Sequence, residues 1–428
     1  MSNTLKFIDM VAREAQSIAH EKCAFISTTD LQYDDSFGKT GAKIGSTLRV
    51  RKPNEYTRRT GSRVMDVQDQ SEATQTITVA TQDGVDMRFN SAELTLDTDS
   101  PSDVAAFSKR YIEPAVSVLA SGIESDYLAY ATKRTADMVG QGTAGAIGTA
   151  ISDLTAPGLA RARLNQHLAP KDKRAIQMES VTMAGLVKGV AAYFNPSNAV
   201  AEQYREGLVA RTSMADYYEN DRAWSMATGG TGDDAGEIDE QAETNFVQGA
   251  TLIHMDGLQS TTTLSVGGVF TWEGLYDVHP ETKAAYPHLK QFTITAISGI
   301  SGTDADISFL PAIYTTGARK NVATSTGADP TWTAAGQDGK DITFAGTVSK
   351  LYVSSLMYHK EAFQFVTADL PLMDDAHKCT RRVKDGLSMR VWMASDIRND
   401  ELLMRIDILY GMAALRPEWA CRIVGASS

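Results

Sequence analysis

The fold is decided by residues 47–106, which open TLRVRKPNEYTRRTGSR (Thr47 to Arg63) and continue VMDVQDQSEATQTITVATQDGVDMRFNSAELTLDTDSPSDVAA (Val64 to Ala106). In the first part Arg49, Arg51, Lys52, Arg58, Arg59 and Arg63 face only Glu55, a net charge of +5. In the second, Asp66, Asp69, Glu72, Asp83, Asp86, Glu93, Asp97, Asp99 and Asp103 face only Arg88, a net charge of −8. Thr47 to Arg51 and Thr76 to Arg88 largely alternate and are rich in β-branched residues, so strands are expected there, with Pro53 and Gly61 punctuating the stretch between them. The pattern predicts a long hairpin-like excursion, basic on one limb and acidic on the other. A two-stranded ribbon is marginal in water, so its stability should come from something it lies against.

Upstream, Phe7, Ile8, Val11, Ala15, Ile18 and Ala19 form one stripe at helical spacing, followed by the polar run Thr28 to Thr40, which reads as a terminal arm. Downstream, Asp103 to Ile112 reads as a short helix, and Pro114 suits the first turn of a longer one. Ala115, Leu119, Ile123 and Tyr127 keep the i, i+4, i+8 spacing of a buried stripe, continued by Tyr130 toward Met138. The Gly140 to Gly148 loop ends that helix. A helix over Leu159–Leu168, a strand over Ala175–Met178 and a helix over Val181–Tyr193 follow, the last closed by Phe194-Asn195-Pro196. The alternation is α/β or α+β, too irregular for a repeat protein.

From Met226 to Ala345 the character changes. This stretch holds 15 of the 33 glycines, with fifteen acids against five bases. Short strands are expected at Gly268–Glu273, Gln291–Ala296 and Asp306–Leu310, which suggests a small antiparallel barrel or sandwich. Helical and mixed patterns then resume, so 226–345 reads as an inserted domain.

Composition sets the outer bounds. The chain has 428 residues, 43% hydrophobic and 22% charged, with a formal charge of −12. That composition supplies an ample core and rules out a wholly disordered chain, and an acidic surface repels nucleic-acid phosphate on average. Cys23, Cys379 and Cys421 are too few and too scattered for a disulfide framework. Lys6, Asp9, Arg13 and Glu14 interrupt any signal-peptide apolar run, and no stretch approaches the roughly 18 apolar residues of a membrane helix. These features predict a soluble protein made in the cytoplasm, with no membrane partner.

No motif carries a catalytic signature. Gly140-Gln-Gly142-Thr-Ala-Gly145 matches a dinucleotide fingerprint, yet a helix precedes it where a strand is needed. Gly229 to Asp234 resembles a single calcium-binding nonapeptide, a site normally built from stacked copies. Asp374-Asp375-Ala-His377-Lys-Cys379 offers ligand-type groups without a second metal pair. None of the seven histidines lies beside a nucleophile elbow or within a zinc-protease motif. The expectation is no catalytic residues, no metal and no cofactor.

Six passages in order carry a resemblance: IGSTLRVRKP (44–53), FNSAELTL (89–96), YFNP (193–196), DYYEND (216–221), YHKEAF (358–363) and RIDILYGMAALRP (405–417). Through them the chain resembles the P-twenty-two-type major capsid (coat) proteins of tailed double-stranded DNA phages. The resemblance covers nearly the whole chain and implies an α+β, Hong Kong 97-like shell fold. Residues 1–40 become an N-terminal arm and 41–98 the extended loop. Residues 99–225 hold the spine helix, the peripheral domain and the first part of the axial domain. Residues 226–345 become a β-barrel insertion domain on the shell exterior, and 346–428 complete the core.

The function so implied is self-assembly into the icosahedral head that encloses the genome, with no enzymatic activity. Implied partners are further copies in hexamers and pentamers, a scaffolding protein during assembly, a portal protein at one vertex, and packaged DNA held without sequence-specific binding. The implied location is the virion capsid, reached through the host cytoplasm. The basic limb needs acidic partners, so the candidate inter-subunit residues are Arg49, Arg51, Arg58, Arg59 and Arg63 with Asp97, Asp99 and Asp103. Asp233 and Asp234 in the insert's acidic loop, Gly229 to Glu243, are further candidates for a neighbour's basic patch. Some relatives lock their shells by a Lys–Asn isopeptide bond. Here the extended loop carries only Lys43 and Lys52, both near its base, so a non-covalent shell is expected. Two competing readings remain: another virion component such as a decoration or tail protein, or a hydrolase whose insert binds carbohydrate through Trp224, Trp272 and Trp332.

Overall fold

The acidic limb is not one strand but two, and they part company. In the computed structural model Thr47–Arg51 (β2) pairs antiparallel with Thr74–Thr78 (β3), Thr47 opposite Thr78 and Arg51 opposite Thr74. After a break at Val79 and Ala80, Thr81–Asn90 (β4) pairs over its full length with a distant strand, Glu401–Ala414 (β20). The structure describes residues 12, 13, 15, 17, 23–34, 47–51, 53–58, 61, 63–65, 67, 74–90, 108–190, 215–233, 235–239, 246–259, 262–373, 378–384 and 387–427. The chain resolves into two units, one of residues 1–51, 74–128 and 363–415, the other of 52–73, 129–362 and 416–428.

The first unit is built on a six-stranded mixed sheet. Asp30–Asp34 (β1) lies parallel to Phe363–Ala368 (β17), which pairs antiparallel with β20. Leu387–Asp396 (β19) joins β20, and Lys378–Lys384 (β18) extends the sheet beyond β19. The β2–β3 pair is anchored here: Ile77 and Val79 are buried with Val366, Ala368 and Ala413, and Val50 packs against them. Gly411 makes that closeness possible, since a Cβ there would run into the Thr78 carbonyl.

Across the β4–β20 pairing, Gly84 stands opposite Asp407, whose carboxylate accepts from Arg390 and Arg405 at 2.7 Å each. Asp407 and Arg390 are both buried, so removing either partner leaves an uncompensated charge. Asp83 accepts from the Tyr410 hydroxyl at 2.6 Å, and Arg88 pairs with Glu401 at 3.3 Å. Burial, reinforced by Asp83, pushes the Tyr410 phenol well above its usual range.

The long helix follows. A π-helical turn, Ser108–Ile112, runs directly into Glu113–Arg134, 22 residues and about 33 Å long. Its buried face includes Val116, Leu119, Ala120, Ile123, Tyr127 and Ala131; Leu119, Ile123 and Tyr127 lie on the expected stripe, and only at its start does Val116 take the inward place in preference to Ala115. In the first unit Tyr127 packs its ring 4.7 Å from Phe25 and 5.2 Å from Phe365. Glu124, also buried, accepts the Phe25 N–H at 3.1 Å, which fixes the start of a five-residue helix, Ala24–Thr28. Of the expected N-terminal helix the described residues 12, 13, 15 and 17 are helical, with Ala12 and Ala15 buried.

The second unit holds a six-stranded mixed sheet and a closed barrel. In the sheet, Met138–Val139 (β5), Ala420–Ser427 (β21), Leu351–His359 (β16), Arg174–Met178 (β6) and Asp216–Glu219 (β7) lie in that order, and Ser225–Ala227 (β8) pairs with the start of β16. Helices Thr155–Gln166 and Ser180–Val190 accompany it. The chain leaves this sheet after Ala227 and returns at Leu351. At that neck the Thr228 hydroxyl donates to the Thr347 carbonyl at 2.6 Å, and Thr228 N–H donates to the Lys350 carbonyl.

Beyond the neck, six strands close on themselves with every pairing antiparallel. They are Ala235–Ile238 (β9), Ala250–Asp256 (β10), Val269–Val278 (β11), Ala285–Ser301 (β12), Asp304–Ile313 (β13) and Asp341–Phe344 (β15). Val322–Ala323 (β14) adds to β11. Closure removes the exposed sheet edge. The interior is filled by Phe270, Trp272, Phe292, Ile294, Ile307 and Phe309, all fully buried, with Phe292 and Phe309 rings 5.3 Å apart edge to face. Strands β11, β12 and β13 run longer than the sequence pattern suggests, β12 to 17 residues.

Candidate functional site

The basic segment between β2 and β3 is largely exposed where it is described. Pro53 follows the end of β2 and cannot donate to a ladder, so pairing stops. Gly61 adopts φ +81°, a left-handed position that suits glycine. Among the described residues from 53 to 67, only Asn54 is not exposed. Arg58 and Arg63 point outward beside four large apolar side chains: Tyr56 is 57% exposed, Val64 and Met65 76%, and Val67 75%. Single exposed apolar side chains are ordinary, whereas a contiguous exposed patch of them is a feature of contact surfaces in general. A partner that covered Val64, Met65 and Val67 gains about 1.5–3 kcal/mol for each fully buried side chain. Within its own unit the segment's Glu55 neighbours Lys283: burial leaves that amine below its usual range, and Glu55 offsets part of the effect.

Only some of the proposed charge partners fall among the described residues. Arg49 and Arg51 take ladder positions opposite Thr76 and Thr74. Arg59, Asp97, Asp99, Asp103 and Asp234, and both Lys43 and Lys52, lie outside the described residues. Asp233 is placed differently from the expectation. Only 1% exposed, it accepts the Gln259 N–H at 3.1 Å and the Thr263 N–H at 2.7 Å, and its carboxylate also takes the Thr263 hydroxyl at 3.0 Å. A carboxylate engaged by two backbone donors acts as a turn-fixing group within its own chain. Charge patterning does not single out Val64, Met65 and Val67, although three apolar residues within four positions of polar sequence are the local signal for them.

The other motifs resolve into structure. In the glycine loop the Gly140 N–H donates to the Gly145 carbonyl at 2.7 Å and the Gly142 N–H to the Ala146 carbonyl at 2.8 Å, so those donors are turned inward. Trp272 is buried in the barrel, Trp332 packs 5.5 Å from it and donates to the Val247 carbonyl, and Trp224 lies under Lys133. No sugar platform is formed by these three. Among the described residues no group of three or more His, Cys, Asp or Glu side chains is arranged around a metal position. The 374–377 part of the Asp374 to Cys379 cluster lies outside the described residues.

Comparison with known families gives the class: a coat protein of a tailed phage. The chain belongs to the P22 coat protein family, whose model, described as P22 coat protein, gene protein 5, matches residues 108–425. It is the major capsid protein of a tailed phage, with a mixed α+β shell fold carrying an inserted barrel, a structural role, self-assembly into an icosahedral shell and a place in the virion capsid.

Solved structures similar to it include the capsid of Ralstonia phage GP4, at 7% identity and a TM-score of 0.46, with 94% of this chain and 88% of that one covered. A chain of Mycobacterium phage Che8 matches at 9% identity and a TM-score of 0.43, covering 89% and 85%. The capsid of Cyanophage P-SCSP1u matches at 10% identity and 0.43, covering 94% and 87%. No curated protein matches the chain.

Proposed function

We propose that residues 52–73 are the strap by which one copy grips the next, and that the shell is closed by many such grips, each weak. The observation that carries this reading is the exposed strip of Tyr56, Arg58, Arg63, Val64, Met65 and Val67. Exposed charge pairs are worth only about 0–1 kcal/mol each, so misplaced copies can leave before summed contacts trap them. The apolar side chains supply the larger part of the contact once it is dry.

In this reading residues 1–40 are the arm, 41–98 the extended loop, and 99–225 with 346–428 the peripheral and axial core. Residues 226–345 are the insertion domain on the outer face. Assembly proceeds in the host cytoplasm with a scaffolding protein, through hexamers and pentamers, around a portal at one vertex. The shell is non-covalent and catalyses no reaction. Its acidic wall encloses double-stranded DNA without reading its sequence, since a repelling surface leaves phosphate free to slide.

The test is co-expression with a scaffolding protein and negative-stain microscopy of the double variant Arg58→Glu and Arg59→Glu. The expected product is a folded monomer that forms no closed shells. Normal particles from that variant reject the strap.

A further inference from the structure

At the root of the barrel, inside the second unit, four charged or titratable groups from separate stretches of chain meet out of water. Asp137 follows the spine helix, His167 caps the helix over 155–166, Asp277 comes from β11 and Lys290 from β12; exposure of each is below 10%. His167 Nε2 stands 3.0 Å from Asp137 Oδ2 and 3.5 Å from Asp277 Oδ2, while Lys290 Nζ stands 2.7 Å from Asp277 Oδ1. His288 Nε2 approaches the same Asp277 oxygen at 3.4 Å. The remaining titratable or charged neighbours are Tyr286, stacked 5.5 Å from His288, then Glu418 facing Lys290, and Cys421 and Arg163 on the Asp137 side.

We propose that His167 is a proton-dependent latch on the barrel: its imidazolium bridges Asp137 beside the spine helix to Asp277 on β11, and loss of that proton loosens the barrel root. The argument is one of charge count in a dry site. With the imidazolium present, two carboxylates face two cations, Lys290 and His167. Without it one carboxylate is left in surplus, and a buried unpaired charge is strongly unfavourable. Around the latch lie ties that carry no charge. Gln291 accepts the Met138 N–H at 2.7 Å and donates back to the Met138 carbonyl at 3.1 Å, Thr293 donates to the Lys133 carbonyl, and Tyr286 donates to the Gln166 carbonyl. These keep the barrel in register at any pH, so His167 sets how tightly the root is held and not whether the barrel folds.

The direction follows from the surroundings. Burial disfavours charge on His167, but Asp137 and Asp277 outweigh burial and the repulsion of Lys290, so the ring ends above its ordinary value of 6.5. Burial raises the Asp137 carboxyl, and His167 and Lys290 more than reverse that, leaving it below its ordinary value. A raised histidine contributes its full hold below pH 6.5 and loses it as pH climbs through the folded value. A lowered aspartate loses its hold only on the acid side, as pH falls through its own depressed value.

The experiment is hydrogen–deuterium exchange on the full-length monomer at pH 6.5 and at about pH 9, with times corrected for the chemical exchange rate. In the wild type, peptides covering 135–139 and 285–291 are expected to exchange measurably faster at the higher pH, while β10 and β13 do not change. His167→Gln should exchange fast in those peptides at both pH values, whereas His288→Gln should keep the pH dependence. Equal wild-type rates at both pH values, or an unaltered pH dependence in His167→Gln, overturn the latch. If His167→Gln does not fold, ring titration of wild-type His167 by NMR decides, with a midpoint above 6.5 expected and one at or below it fatal to the proposal.

Discussion

The barrel and the loop are both excursions from the sheets, and they solve the problem of leaving a core in opposite ways. The barrel closes on itself, and fills its interior with Trp272, Phe270, Phe292 and Phe309. Its neck is tied at Thr228 and its root is held by charges and amides. The loop between β2 and β3 closes nothing. Its two strands lean on Val366 and Ala413, but its described residues between 53 and 67 show water valine, methionine and arginine side chains. One excursion is finished by its own sequence; the other, on the proposed reading, is completed by a second copy.

That contrast can be broken most severely from the barrel side. Replacing Trp272 with Ala removes a fully buried side chain from the closed interior, and should cost about 3–5 kcal/mol in denaturant melts of the monomer. A smaller loss is expected at Asp233. Asp233→Ala leaves two backbone N–H groups of the 259–263 turn without their acceptor, at about 1–3 kcal/mol, and should show as barrel destabilisation in the same melts. If Asp233 instead served only a neighbouring chain, the monomer would melt as wild type and shell yield alone would fall. Smallest for stability is Arg58→Glu with Arg59→Glu. With Arg58 exposed, this charge reversal should move the monomer's stability by less than about 0.5 kcal/mol, so its predicted block of shell closure is not a folding defect.

What was legible in the sequence follows the range of the interactions. The spine helix and the barrel strands rest on local periodicity, so their existence is plain, although β12 is longer than its apolar run because Pro287 and Gly299 mask its ends. The splitting of the acidic limb was hidden, since β4 finds its partner at residues 401–410, more than 300 positions away. Asp233 misleads for a different reason. An aspartate among glycines reads as solvated, and only the folded turn shows two N–H groups converging on it.

The barrel-root cluster left one faint local trace. Lys290 shares strand parity with Phe292 and Ile294, a cation in phase with core residues, but Asp137 and His167 come from too far off to be placed beside it. Charge alone picked out the loop and gave its arginines the leading role. The exposed tyrosine, valines and methionine add the contact area that charge lacks.

The central claim concerns the loop, and hydroxyl-radical footprinting of Tyr56 and Met65 in free monomer and in closed shells tests it most directly. Both side chains are more than half exposed in the single chain and should oxidise readily there. In shells they should be protected severalfold, while the buried Met255 of the barrel stays equally protected in both states. Equal oxidation of Tyr56 and Met65 in monomer and shell would contradict the account.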